Sequence, residues 1–436
     1  LATWLALPYQ PRQGWGALAL TFDVAHGTFA GVRAGMDLRA VETSFGDGLP
    51  PLRLAQVRGQ ALWQRDADGQ RVAFENLRVA QAGGTLGAPF NIGFGWGKAG
   101  NEITARAFSL GGWQTLLPSL PMDAALRTRL QRLQPQGRFD TLQLRWKGAE
   151  PSLDDFAVAA RFRGLGVAPL DRQPGLANLT GQIEGDARGG RFEIDSPQLG
   201  LNLPALFREP QFAFDSGRAR GSWTKTARGR RLRFDELTFA NADMAGTARG
   251  AYELIPGQRG VADLTAQLSR AAGTAVYRYF PNTIGEHTVE WARRGVVAGH
   301  ADSVQFTLKG DLAQFPFEQG RGVFRVEAQV KDAVIEYVPG WPRIDGIEGR
   351  LLFEGKAMEV TSSRARIYGV ALAPVKVVIP DLIHHEELLM VEGEAQGPAQ
   401  DFIRFANASP VGTRLRGFTA ALEGSGPLKL ALSLKV

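Results

Sequence analysis

The chain has 436 residues, with 50 Lys plus Arg against 44 Asp plus Glu for a net charge of +6, and no cysteine. Without cysteine there can be no disulfide framework, thiolate zinc site, iron–sulfur cluster or cysteine nucleophile. Apolar residues make up 44% and charged residues 22%, a balance that supports a folded core and excludes a disordered chain.

Period-two alternation, punctuated by turn residues, runs from one end to the other. Arg65-Asp66-Ala67-Asp68-Gly69 is hairpin-turn chemistry. Asp123 to Leu133 reads as a helix, with Leu126, Leu130 and Leu133 at helical spacing and Pro135-Gln136-Gly137 as its stop. Leu142 to Trp146 and Phe156 to Phe162 are strands with one dry face, followed by a loop at Gly164 to Pro169. Asp186 to Gly190 turns the chain into Phe192-Glu193-Ile194-Asp195. From Ala271 to Gly295 two short helices flank Pro281, with Val276 and Phe280 one helical turn apart. Val304 to Lys309 and Phe324 to Lys331 alternate again. Gly397-Pro398 opens a third helical stretch, with Pro398 at the first helical position and Phe402 and Phe405 on its dry side. Phe418 to Leu422 reads as a strand, Gly424-Ser425-Gly426-Pro427 as a turn, and Leu428 to Val436 as the last strand.

At the usual spacing this amounts to roughly 20 to 25 strands in a mainly β, antiparallel protein. The helices divide it. Strand blocks at 1–110, 136–269 and 297–396 are separated by helical insertions at 111–135 and 270–296; a short helix at 397–409 precedes strands over 410–436. Helix then meander, three times over, is a degenerate repeat.

Chemistry-bearing motifs are poor. Only nine basic residues are Lys, and the densest basic cluster, Arg228, Arg230, Arg231 and Arg233, is followed at once by Asp235 and Glu236. Such mixing marks a solvated face, not a nucleic-acid surface. Two adjacent His in His384-His385-Glu386-Glu387 point to opposite faces of an extended segment and do not converge on a metal. His26, His287 and His300 are isolated. Asp66-Ala67-Asp68-Gly69 starts like a calcium loop but lacks its third acidic position and distal Glu. Gly95-Trp96-Gly97-Lys98-Ala99-Gly100 matches a dinucleotide fingerprint in letters only, because a strand follows it. With no nucleophile elbow and no Walker loop, the expectation is a protein without catalytic residues, cofactor or metal. No run of 18 uncharged apolar residues occurs, and the start at Leu1 without a signal pattern reads as an internal piece of something longer.

A meander with one apolar face must hide that face. A second sheet would make it a structural or adhesive sandwich with every apolar residue in the core. An outer-membrane barrel would turn it outward, against which the interposed helices and a carboxyl end without an aromatic residue both argue. A sheet curled into an elongated gutter would leave the face open for apolar cargo such as acyl chains. The alternation alone leaves sandwich and gutter equally open.

Several segments then carry a resemblance. Tyr279-Phe280-Pro281, the Trp291-Ala292 to Gly295 stretch, Leu308-Lys309-Gly310 with Phe315-Pro316-Phe317, Gly322-Val323-Phe324, and above all Tyr337-Val338-Pro339-Gly340-Trp341-Pro342-Arg343-Ile344 followed by Leu352-Phe353, resemble the YhdP branch of the AsmA-like proteins. Leu133-Gln134-Pro135-Gln136-Gly137 is similar to the family as well. The likeness is dense between residues 279 and 375 and diffuse elsewhere. It implies a long twisted sheet with a hydrophobic groove, in a periplasmic portion of a protein anchored in the inner membrane of a Gram-negative bacterium. It further implies a monomer that carries phospholipid toward the outer membrane, with a membrane at each end of the full-length chain and no nucleic acid. The family's amino-terminal anchor is not in this sequence, consistent with an internal or C-terminal-side fragment.

On the gutter reading, the residues turned inward to solvate acyl chains are Leu142, Leu144, Trp146, Phe192, Ile194, Val304, Phe306, Leu308, Phe324, Val326, Val330, Leu430, Leu432 and Leu434. Arg145, Arg325 and Arg364 are candidates for meeting phosphates, although solvated strand faces explain them equally well. Trp341-Pro342 is read as a turn that packs one aromatic into the sheet.

Overall fold

The computed structural model describes residues 10–25, 28–46, 48–148, 150–171, 173–382 and 388–435. His26 and the His384 to Glu387 cluster lie outside them. Among the described residues the protein is mainly β, with 23 strands in one antiparallel sheet that is not closed into a barrel. It divides into two compact units: Leu1–Leu203 with Ser222–Lys225, and Pro204–Gly221 with Thr226–Val436.

The N-terminal unit is a meander in which each strand pairs antiparallel with the next. It begins with β1 (Gln10–Ala25), β2 (Thr28–Ser44), β3 (Leu52–Arg65), β4 (Gly69–Ala80), β5 (Phe90–Gly97) and β6 (Gly100–Ser109). Short 3-10 turns and helix α1 (Ala124–Leu133) interrupt it. It resumes with β7 (Gln136–Trp146), β8 (Ala157–Val167), β9 (Gly175–Asp186) and β10 (Gly189–Pro197), after which the short β11 (Gly200–Asn202) pairs back with β9 instead. The next two strands, β12 (Gln211–Ala213) and β13 (Ser216–Lys225), fall in the second unit except for Ser222–Lys225, which belongs to the first.

The second unit repeats the plan with β14 (Arg230–Ala240), β15 (Met244–Leu254) and β16 (Val261–Ala272). A 3-10 turn at Gly273–Tyr279 and helix α2 (Glu286–Gly295) lead to β17 (Val296–Asp311), β18 (Gly322–Ile335) and β19 (Ile344–Glu354). After β20 (Ala357–Ile367), β21 (Val370–Ile379) and β22 (Met390–Pro398) come helices α3 (Ala399–Asn407) and α4 (Pro410–Arg414), and finally β23 (Pro427–Lys435). No helix among the described residues is long and apolar enough to cross a membrane.

Local chemistry explains the punctuation. Asp66 Oδ1 accepts from the backbone N–H of Asp68 and Gly69 at 2.9 and 2.8 Å, so the calcium-like letters are a self-bonded turn. Asp186 does the same for Arg188 and Gly189. The Gly95 to Gly100 stretch is a hairpin: β5 ends at Gly97, β6 starts at Gly100, and no helix N-terminus is present for a pyrophosphate. Asp123 caps α1 by accepting from Ala125 and Leu126.

Four local expectations need correction. Phe418 to Leu422 is not a strand but a 3-10 turn at Phe418–Ala421, because left-handed Gly417 (φ 75°) reverses the chain and Asn407 and Thr419 hold it by paired side-chain hydrogen bonds. The first helix before Pro281 is a 3-10 turn that buries Ala275 and leaves Val276 exposed. Pro398 is the N-cap of α3, one residue before the first helical position. Gly164 to Pro169 is not all loop: β8 continues to Val167 past a register shift around left-handed Gly164.

Candidate functional site

Directly paired residues in antiparallel strands share a face, and every second residue along each strand returns to it. In the N-terminal unit an unbroken row crosses ten strands: Leu20, Ala34, Ala61, Phe74, Ile92, Ala105, Leu142, Ala160, Ile183 and Phe192. In the second unit another row crosses ten: Phe239, Gly246, Leu268, Val304, Ala328, Leu351, Val360, Val377, Val391 and Leu434. Neither row contains a polar side chain. The opposite face of the second unit is the reverse, with Ser303, Gln329, Arg350, Thr361, Lys376, Glu392 and Ser433 in one row. A slip of one residue in any strand would turn its apolar set over, so the continuity is a property of the register.

Leu142, Leu144, Trp146, Phe192 and Ile194 stand on the apolar face of the N-terminal unit. Val304, Phe306, Leu308, Phe324, Val326, Val330, Leu430, Leu432 and Leu434 stand on that of the second. Their surroundings differ. Val304 is buried at 7% exposure in a cluster with Ala301 and Ala328, yet the residues packed against that cluster, Leu268, Ala271, Val326, Val330 and Leu351, all belong to the sheet itself. Leu432 packs against the cluster of Ile367, Val370 and Ala395, beside Phe402 and Phe405 of α3. Leu430 and Leu434 are about half exposed, at 47% and 53%. The face is therefore closed by helices at places and open elsewhere, with no second sheet among the described residues over it.

The three candidate arginines are not on this face. Arg145 is opposite Glu102 and bonds it at 2.8 Å, Arg325 pairs with Glu327 and Glu354, and Arg364 pairs with Glu348. Alternation places Arg145 and Arg325 on the polar side, and the register shift between Ser362 and Arg364 turns Arg364 there as well, where carboxylates already satisfy them. Hydrogen bonds from Arg350 and Arg325 hold Glu327 down to about 2.

Helical segments gather at strand ends. Trp113 lies 5.6 Å from both Phe90 and Phe108, covering one end of β5 and β6. In the second unit Trp291 of α2 donates its indole N–H to the Tyr337 carbonyl at 3.1 Å, Tyr337 lies 6.1 Å from Trp341, and Trp341 lies 6.0 Å from Phe405 of α3. The Tyr337 to Arg343 connection thus ties one helical insertion to the next, and Trp341 packs onto a helix where the sequence suggests the sheet.

Sequence reasoning passed over much of the face. Val72, Phe74, Leu351 and Phe353 carry the same period-two signal. Ala61, Ala105 and Gly246 carry none, since only pairing shows that they line up with Leu, Phe and Ile. Among the described residues no group of His, Asp and Glu could hold a metal ion.

The YhdP protein family model matches residues 1–436. The intermembrane phospholipid transporter YhdP of Escherichia coli (strain K12) is 23% identical over 345 residues, covering 78% of this chain and 27% of that protein. The chain thus spans about a quarter of that relative's length. No solved structure matches it.

Proposed function

The chain belongs to the YhdP family, and on that premise we propose that it is a non-catalytic segment of a phospholipid carrier between the inner and outer membranes. Acyl chains lie on the apolar face of each unit and pass along it in the periplasm, supporting the outer-membrane barrier. The observation that carries this reading is the pair of ten-strand apolar rows without a covering sheet. Keeping hydrocarbon from water is worth about 0.8 kcal/mol per methylene, so a chain can be solvated by many weak contacts with no tight site, and exchange along the rows is fast. A sandwich needs a second sheet, and all 23 strands among the described residues lie in one.

The test is photo-crosslinking in cells with a reactive side chain placed on alternate residues of one strand. Val326 and Leu142 positions should capture phospholipid, while Arg325 and Gln143 positions should not. Equal capture from both faces, or none, overturns the reading.

A further inference from the structure

We propose that in the N-terminal unit phospholipid is held in one orientation along the strands, with its glycerol ester and phosphate oxygens against a row of alternating amides and indoles: Gln70, Trp96, Asn101 and Trp146. This rests on the phospholipid reading of the apolar face given above.

These four residues are direct cross-strand partners. Each lies two residues along its strand from the row containing Val72, Phe94, Ile103 and Leu144, so it shares their face but sits at the strand ends. Three of the four hold a hydrogen-bond donor without a partner among the described residues. The Trp146 Nε1 is buried and unbonded. Trp96, 43% exposed, makes no hydrogen bond through its indole N–H. Gln70 accepts from Trp63 Nε1 at 3.3 Å through Oε1, leaving its amide nitrogen unpaired. Unused donors concentrated in one row, beside a face that otherwise has none, call for acceptor oxygens. An indole with an apolar body toward the hydrocarbon and an N–H toward the polar boundary is the group that collects at the headgroup level of a bilayer.

The other end of the same strands has the opposite character. Phe90, Phe108 and Trp113 meet there at 5.5–5.6 Å, with Leu77, the cross-strand partner of Phe90, buried beside them. Along β5 alone, exposure rises from 9% at Phe90 to 38% at Phe94 and 43% at Trp96. The seven residue steps from Phe139 to Trp146 span roughly 23 Å at strand rise, against ~15 Å for one leaflet's half of a bilayer core. An acyl chain therefore has room to run from the amide and indole row to the dry aromatic end. On β3 the row continues into Arg65, the direct partner of Gln70, so a guanidinium joins the neutral donors and the row suits the glycerol–phosphate region common to phospholipids.

The experiment reads depth. The full chain is loaded with phosphatidylcholine brominated either close to the ester or close to the chain terminus, and tryptophan fluorescence is compared with that of Trp96→Phe, Trp146→Phe and Trp113→Phe, each checked for native circular dichroism. Trp96→Tyr and Trp146→Tyr serve where Phe perturbs folding. The quenching lost with Trp96 and Trp146 should be at least twofold greater for ester-proximal bromine, and that lost with Trp113 should show the reverse order. Equal or inverted order at Trp96 and Trp146 overturns the orientation alone. Absence of quenching by either lipid at every tryptophan defeats the phospholipid reading and the orientation with it.

Discussion

The indole of Trp223 occupies the space in which a side chain on Gly190 would stand: a β-carbon built on Gly190 comes within 2.2 Å of the ring and 2.5 Å of the Glu184 carbonyl. Trp223 is 5% exposed and donates Nε1–H to the Asp186 carbonyl at 2.9 Å, so the ring cannot simply swing away. Gly190→Ala should therefore destabilise the N-terminal unit by about 1–3 kcal/mol, read as a lower urea midpoint. Pairing it with Trp223→Leu should recover part of the loss; a full additive loss would mean that the clash is with backbone alone.

Val304 and Leu434 share one apolar row but not one environment, at 7% and 53% exposure. Val304→Asp buries an unpaired carboxylate among apolar neighbours and should cost at least about 3 kcal/mol, unfolding the second unit at moderate urea. Leu434→Asp should shift stability by less than about 1 kcal/mol and yet lower the amount of co-purifying phospholipid measured by mass spectrometry. Undiminished lipid in a folded Leu434→Asp protein would count against cargo at that end of the face.

Glu327 accepts from Arg350 at 2.6 Å and from Arg325 at 3.0 Å, which lowers its pKa from 4.5 to about 2. A carboxylate whose folded pKa is depressed contributes stability that is complete above its unfolded pKa and fades as pH falls through the folded value. The difference in urea midpoint between wild type and Glu327→Gln should thus be constant above about pH 5 and shrink between 4.5 and about 2. A difference that grows on acidification would contradict the assigned pairing.

Trp341 connects Tyr337 to Phe405 of α3. Its aromatic contacts are worth roughly 0.5–1.5 kcal/mol each beyond area burial. Trp341→Ala should speed amide hydrogen exchange across Ala399–Asn407 by at least an order of magnitude while leaving β17 and β18 protected. Unchanged exchange in α3 would show that Phe402 and Phe405 hold it by packing on the sheet alone.

Much of this was legible because it is local. Val304-Gln305-Phe306-Thr307-Leu308-Lys309 declares its two faces within six letters, and each residue chosen for the dry side stands there. A guanidinium suggests a phosphate, but for Arg145, Arg325 and Arg364 the carboxylates of Glu102, Glu354 and Glu348 on neighbouring strands support the solvated-face reading instead. The Gln70, Trp96, Asn101 and Trp146 row was invisible for the same reason: four strands contribute one residue each.

Alternation with turn residues determined, from the amino-acid order by itself, that the chain forms many antiparallel strands with one apolar side, since side-chain direction follows from backbone geometry two residues at a time. Which residues stand abreast, and that no second sheet among the described residues covers them, was decided only in three dimensions. Register is a relation between distant strands, set by bulges, turns and packing that no single strand records.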